Sequence, residues 1–171
     1  MEHQFLELYD DYYPKLYAYI LMRVRHKEQA EDIVQQTFLK ALENVASFKP
    51  RQGATFGSWV FQIAKNELID RSRQKTRLVF CDTEILDAVP GTSSTIEELL
   101  QKECDAEQKE KWLKVLSSLD RLDDDEREVI TLKYLSDLPY KEIAKTMNKK
   151  PNTLAVILKR ALEKVRKDLH V

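Results

Sequence analysis

Between Lys65 and Arg73 the chain places three cations, Lys65, Arg71 and Arg73, around an amide and a carboxylate, Asn66 and Asp70, that lie one helical turn apart. Cations of this kind track a phosphate backbone, while amides and carboxylates can read base edges. Lys75 and Arg77 extend the same basic run. Just upstream, the loop from Phe48 to Gly53 offers an aromatic ring, the cations Lys49 and Arg51, and a conformationally free glycine. Those are the parts needed to hold a base that has left its stack. Trp59 sits on an apolar stripe and reads as core before it reads as a stacking platform. A second basic set, Lys141, Lys145, Lys149, Lys150, Lys159 and Arg160, lies near the other end of the chain. Such charges supply affinity for duplex DNA through counterion release and fix its register.

Charge divided by segment sharpens this picture. The net charge is only −1 over 171 residues, yet residues 51–80 carry 6 basic against 2 acidic side chains and residues 138–171 carry 9 against 3. Between them, residues 81–111 carry 3 basic against 9 acidic. Two polyanion-facing surfaces on either side of an acidic stretch account for the pattern; two solvated helix faces would produce it as well. His3, His26 and His170 are scattered, and neither a glycine-rich phosphate loop nor a Cys/His metal pair is present. Cys81 and Cys104 read as inert thiols in a reduced compartment. Neither catalysis nor a metal or cofactor is expected. No apolar run nears the roughly 18 residues of a membrane span, and the polar start Met1-Glu2-His3-Gln4 is unlike a signal peptide, so a cytoplasmic location is expected.

The elements that must position these residues are helical. Ala30, Ile33, Val34, Thr37, Phe38, Ala41, Leu42 and Val45 recur as one apolar stripe over four turns. Two amphipathic segments precede it, one through Phe5, Leu8, Tyr9 and Tyr12 and one through Leu16, Ile20 and Val24, with Pro14 at the start of the second or kinking the pair. A further helix follows through Phe56, Trp59, Val60, Ile63, Ala64 and Leu68. Turn and linker chemistry then takes over in Ala88-Val89-Pro90-Gly91-Thr92-Ser93-Ser94-Thr95. Helicity is expected to resume near Ile96 and run toward Leu119. Asp123 to Glu126 read as an N-cap with charges favoured by the helix dipole. A short helix entered through Pro139 carries Tyr140, Ile143, Ala144 and Met147; a turn, Asn148-Lys149-Lys150-Pro151, leads to a last helix capped by Asn152. Helix, tight turn and longer basic helix make a helix-turn-helix pattern. The fold expected is all-α: two small helical domains, residues 1–77 and 106–171, joined by a flexible linker over 78–105.

These motifs resemble bacterial sigma-70 family factors of the extracytoplasmic-function type. The first half is similar to region 2 through Phe5-Leu6-Glu7-Leu8-Tyr9, Ala30-Glu31-Asp32-Ile33-Val34-Gln35-Gln36-Thr37-Phe38 and the run from Phe56 to Asp70. The second half is similar to region 4 through Leu116, Leu119 and Leu122, Glu126-Arg127-Glu128-Val129 and Tyr140-Lys141-Glu142-Ile143-Ala144. The resemblance implies a non-catalytic specificity subunit that rides on RNA polymerase core and opens promoter DNA. It implies that Asp32, Gln35, Gln36 and Leu39 dock on the coiled coil of the β′ subunit. Lys40, Phe48, Ile63, Asn66 and Asp70 match positions that handle the minus-ten element and a flipped non-template base; Trp59 joins that set, with Lys49, Arg51, Lys65, Arg71 and Arg73 on phosphates. Region 4 would bind the β flap and read the minus-thirty-five element. Tyr140, Lys141, Lys149, Lys150 and Asn152 would seat it there, and Thr153, Val156, Lys159 and Arg160 would continue the same face. The linker is long enough for the halves to close around an anti-sigma partner.

The last helix departs from the family pattern. Where the family usually has Thr, an apolar residue and then a basic–Ser–Arg run, it has Thr153-Leu154-Ala155-Val156-Ile157, so two expected cations are missing. At about 100° per residue, Val156 points away from the Leu154, Leu158, Leu162 and Val165 stripe. An outward valine there can contact thymine methyls, meet a protein partner, or do neither. Two other readings therefore stay open: a sigma-like regulator that joins polymerase without reading an upstream element, and a stand-alone helix-turn-helix regulator.

Overall fold

A computed structural model describes residues 2–48, 55–81 and 96–170, and among these the chain is helical with no strand. Helix α1 (Glu2–Val24) is unbroken, so the two segments expected around Pro14 are one element. The exposed Pro14 costs the helix about 3 kcal/mol. Leu16 and Ile20, both fully buried, return about 1.5–3 kcal/mol each, and the buried Tyr19 adds to them. Packing wins over propensity. Helix α2 (Lys27–Asn44) buries Ala30, Ile33, Val34, Thr37, Phe38 and Ala41, the expected stripe. Leu42 does not belong to it: at the stripe's edge by helical angle, it stands 50% exposed.

A single 3₁₀ turn (Val45–Ser47) leads to Phe48. Helix α3 (Phe56–Cys81) then runs four residues past the boundary expected at 77 and buries Phe56, Val60, Phe61 and Ala64 against α1 and α2. The Ala88–Thr95 stretch, like the Lys49–Ala54 loop, lies outside the described residues.

Helicity resumes at Ile96 as expected but does not run unbroken to Leu119. Helix α4 (Ile96–Glu103) stops, and α5 (Ala106–Asp120) begins afresh, because the Asp105 carboxylate accepts from the Gln108 amide at 2.8 Å and caps α5. Part of the segment expected to be linker is thus ordered helix. Its first residue is tied to the first half, the Ile96 amide donating to the Arg25 carbonyl at 2.9 Å. Helix α6 (Asp124–Ile130) opens with a complete capping box, in which Asp123 and Glu126 bond each other's backbone amides at 2.8 and 3.2 Å. A wider turn (Thr131–Leu135) continues it, and α7 (Tyr140–Thr146) follows through Pro139.

Helix α8 (Pro151–Leu169) starts two residues earlier than expected. Its cap position is Lys150, with no side-chain bond, and Asn152 lies inside the first turn. Pro151, whose fixed φ suits the first helical position, sets the start in place of an Asn cap. The tight turn before it is closed by Asn148 at φ 52°, a left-handed conformation that asparagine tolerates better than most residues.

The two halves do not stand apart. Buried side chains of α1–α3 and of α5–α8 form one connected cluster, with α3 against α7 and α1 against the Thr131–Leu135 turn.

Candidate nucleic-acid interface

Helix α3 begins where Thr55 and Ser58 bond reciprocally: each side-chain hydroxyl accepts from the other's backbone amide at 3.2 Å. That start aims the next three turns of α3 across the C-terminal end of α2. Between them lies an open cavity of about 710 Å³. Lys40, Phe48, Trp59, Ile63, Asn66 and Asp70, expected to act together, all line it. Phe48 lies against Trp59 with centroids 4.6 Å apart and ring planes at 26°, and Phe56 meets both rings edge-on. Trp59 is half-buried, so its ring serves both the core and the cavity wall. Lys49 and Arg51, expected beside this wall, lie outside the described residues.

The cavity also holds groups that the sequence pattern did not point to. Asn44, Ser58, Gln62 and Glu67 come from α2 and α3, and Lys145 reaches in from α7. The Gln62 amide donates to Asn66 Oδ1 at 3.4 Å. Glu67, nearly buried, pairs with the Lys40 ammonium, which holds that lysine above its ordinary pKa through the hydrogen bond. Spacing could have found Glu67, since Ile63, Glu67 and Asp70 recur at helical intervals. Nothing in the sequence placed Lys145 there, because it comes from the other half of the chain.

Lys65, Arg71 and Arg73 do not join this cavity. They line a second cleft of about 830 Å³ with Arg23 on one side and Asp124, Asp125 and Glu128 of α6 on the other. Consecutive helix positions diverge by about 100°, so Lys65 and Asn66, adjacent in sequence, serve different surfaces.

The helix-turn-helix formed by α7 and α8 presents a different face. Asn152, Thr153, Val156, Lys159 and Arg160 are all exposed along one side of α8, with Val156 at 50%. Lys150 is exposed at its start, and Tyr140 and Lys141 are exposed at the start of α7. Lys149 is half-buried and pairs with Asp125 at 2.8 Å. Lys159 faces Glu163 at 3.9 Å, a surface pair of little energetic weight. Asp32, Gln35, Gln36 and Leu39 lie exposed on the outer face of α2, and the exposed Leu42 widens that apolar spot.

Among the described residues no group of His, Cys, Asp and Glu could hold a metal ion, and no helix is long and apolar enough to cross a membrane. Cys104 is a half-buried free thiol.

The chain matches two family models, Sigma-70 region 2 over residues 8–78 and Sigma-70, region 4 over residues 112–165. It is 33% identical over 159 residues to the ECF RNA polymerase sigma factor BldN of Streptomyces coelicolor, spanning 92% of this chain and 57% of that longer protein. It is 29% identical over 167 residues to the ECF RNA polymerase sigma factor SigW of Bacillus subtilis, spanning 96% and 88% of the two chains. In fold it is similar to the sigma factor RpoE of Bartonella quintana, solved with the anti-sigma factor NepR: TM-score 0.69 at 24% identity, covering 98% of each chain.

Proposed function

The chain belongs to the extracytoplasmic-function group of the sigma-70 family, and from that premise we propose that it directs RNA polymerase core to promoters and helps to open them by differential binding, with no bond chemistry of its own. The observation that carries this reading is the aromatic-walled cavity shared by α2 and α3. A base extruded from the non-template strand enters beside Phe48 and Trp59, with Asn66, Gln62 and Asp70 offering donors and acceptors for its edge. Unstacking costs a few kcal/mol, and stacking on an aromatic ring returns about 1–3 kcal/mol per base. Phosphate contacts from Lys49, Arg51, Lys65, Arg71 and Arg73 supply the remainder, so the open strand is favoured over the paired one.

The exposed side of α8 reads the upstream duplex, with Lys141, Lys149, Lys150, Lys159 and Arg160 on phosphates. The outer face of α2 docks on the β′ coiled coil through Asp32, Gln35, Gln36 and Leu39, with Leu42 added by its exposure. The second half also binds the β flap, and an anti-sigma partner acts on the pair of halves. The domains take the boundaries 1–77 and 106–171, and the protein works in the cytoplasm. Transcription by core polymerase reconstituted with this chain tests the reading. Asn66→Ala should lower initiation on promoters that depend on melting by about ten-fold while core binding is unchanged; equal loss of both would make Asn66 structural.

A second reading is favoured by one feature, the apolar Ala155 and Val156 where cations would be expected on a duplex-reading helix. The chain then joins polymerase without reading an upstream element. Initiation that is unaffected by scrambling that element supports this version.

A further inference from the structure

Two of the cations that line the second cleft, Arg23 and Lys65, meet a carboxylate of the chain's own second half. Glu128 of α6, only 6% exposed, takes the Arg23 guanidinium at 2.5 Å, the Lys65 ammonium at 3.1 Å and the Tyr19 hydroxyl at 3.5 Å. Three side chains from α1 and α3 thus converge on one carboxylate from α6. Asp124 and Asp125 line the same cleft, with Arg71 and Arg73 among its cations. Two further contacts have the same polarity. Arg25 bonds Asp120 at 2.7 Å, and the Tyr12 hydroxyl donates to Glu142 of α7 at 3.3 Å. In each of these side-chain contacts the first half donates and the second half supplies the carboxylate.

A carboxylate held by converging cations stands in chemically for a phosphate of the backbone. We propose that α6, with Glu128 at its centre, is an internal latch that neutralises Lys65 of α3 and Arg23 of α1 and holds the two halves closed, so that the chain must open before single-stranded DNA can bind along that cleft. The proposal rests on the reading of α3 as a nucleic-acid surface. The charge of Lys65 is already matched by Glu128, and a carboxylate at Glu128 repels any strand laid beside Arg23.

The closed contact is built to release. Among the described residues, Arg23 Nε and Glu142 Oε2 are buried without a hydrogen-bond partner, and both regain water when the halves part. The Glu142 carboxylate also lies so close over Gly57 that a Cβ there would collide with it. The apolar contact of α3 with α7 favours closure, so removing the latch charge shifts the balance without abolishing the closed form.

The test uses the full chain and two readouts: its radius of gyration by small-angle scattering, and its affinity for a fluorescein-labelled, mixed-sequence single-stranded 20-mer at fixed salt. Glu128→Lys should expand the protein and tighten the oligonucleotide about ten-fold. Glu110→Lys, which adds the same charge on the exposed face of α5, should leave the radius unchanged and tighten binding far less. Arg23→Glu combined with Glu128→Lys re-forms one of the two ion pairs but leaves Lys65 facing a cation, so it should bring both values part of the way back toward wild type. Glu128→Gln, checked for native helicity by circular dichroism, should give a smaller effect of the same sign, about three-fold. An unchanged radius, with an affinity matching Glu110→Lys, overturns the latch. Expansion without tighter binding leaves the closure in place but overturns α3 as the nucleic-acid surface.

Discussion

The two cationic faces of this protein differ in what already occupies them. On α3, Lys65 is held by Glu128, and Lys40, across the cavity, is held by Glu67. On α7 and α8, Lys141, Lys150 and Arg160 are exposed and pair with no carboxylate among the described residues. The α3 face is built into an interface between two halves; the α8 face is open to solvent, on a helix whose inner stripe, Leu154, Leu158 and Ala161, is buried. Similar charge counts therefore carry different meanings. A cation whose charge is matched inside the fold contributes to binding only after the fold gives it up, whereas an exposed one contributes at once.

The largest effect should come from the core that both faces share. Leu16→Ala should destabilise the chain by about 2–5 kcal/mol. Because the buried cluster is continuous, Trp59 in α3 and Trp112 in α5 should report one coincident urea transition. Two separate transitions would show that the faces sit on independent domains and would weaken the comparison at its root.

Next in size is salt dependence. In the reconstituted polymerase complex on duplex promoter DNA, Arg160→Ala should lower the slope of log affinity against log salt by about one. Lys65→Ala in the free chain should change the slope for a single-stranded oligonucleotide by clearly less than that, since Glu128 already matches that charge. Equal slopes for both substitutions would erase the distinction between the faces. A narrower effect is expected at Val156, where Arg should change which upstream sequences are used while total core binding stays the same. Identical transcript start profiles would remove that side of α8 from sequence reading.

The smallest effect is a pH response confined to the closed interface. Burial, reinforced by the charge of Glu142 and its hydrogen bond, pushes the Tyr12 phenol up from 10.0 to about 12. Burial, with Glu128 next, also raises Tyr19. A raised folded-state value means that the contribution is complete below pH 10 and is lost as pH rises toward 12. The radius of gyration should therefore grow over that window, and Glu142→Gln should shift the change to lower pH by removing a charge that opposes ionisation while weakening the contact itself. Expansion with no dependence on Glu142 would detach Tyr12 from the closure.

Much of the local architecture was legible in the residues. The α2 stripe, the acidic cap at Asp123 to Glu126 and the outward direction of Val156 follow from helical periodicity and cap chemistry, which act within a few turns of chain. Local signals also misled where a distant contact outweighed them. Pro14 marked a break, but the burial of Leu16 and Ile20 keeps α1 whole. Asn152 had the chemistry of a cap, but Pro151 claimed the first helical position. The division of neighbouring residues Lys65 and Asn66 between two clefts follows from the helical angle, yet which cleft each enters depends on what packs alongside.

By itself the sequence determined the helices, the positions of both basic sets and the family to which the chain belongs, because periodicity, caps and ordered motifs are properties of short stretches. Only the tertiary structure decided that Lys145 reaches the cavity beside Phe48, that Leu42 faces outward, and that Glu128 sits among Tyr19, Arg23 and Lys65. The Glu128 contacts alone join residues up to 109 positions apart. Such pairings are set by how two apolar surfaces close on each other, and no local pattern in the chain records that geometry.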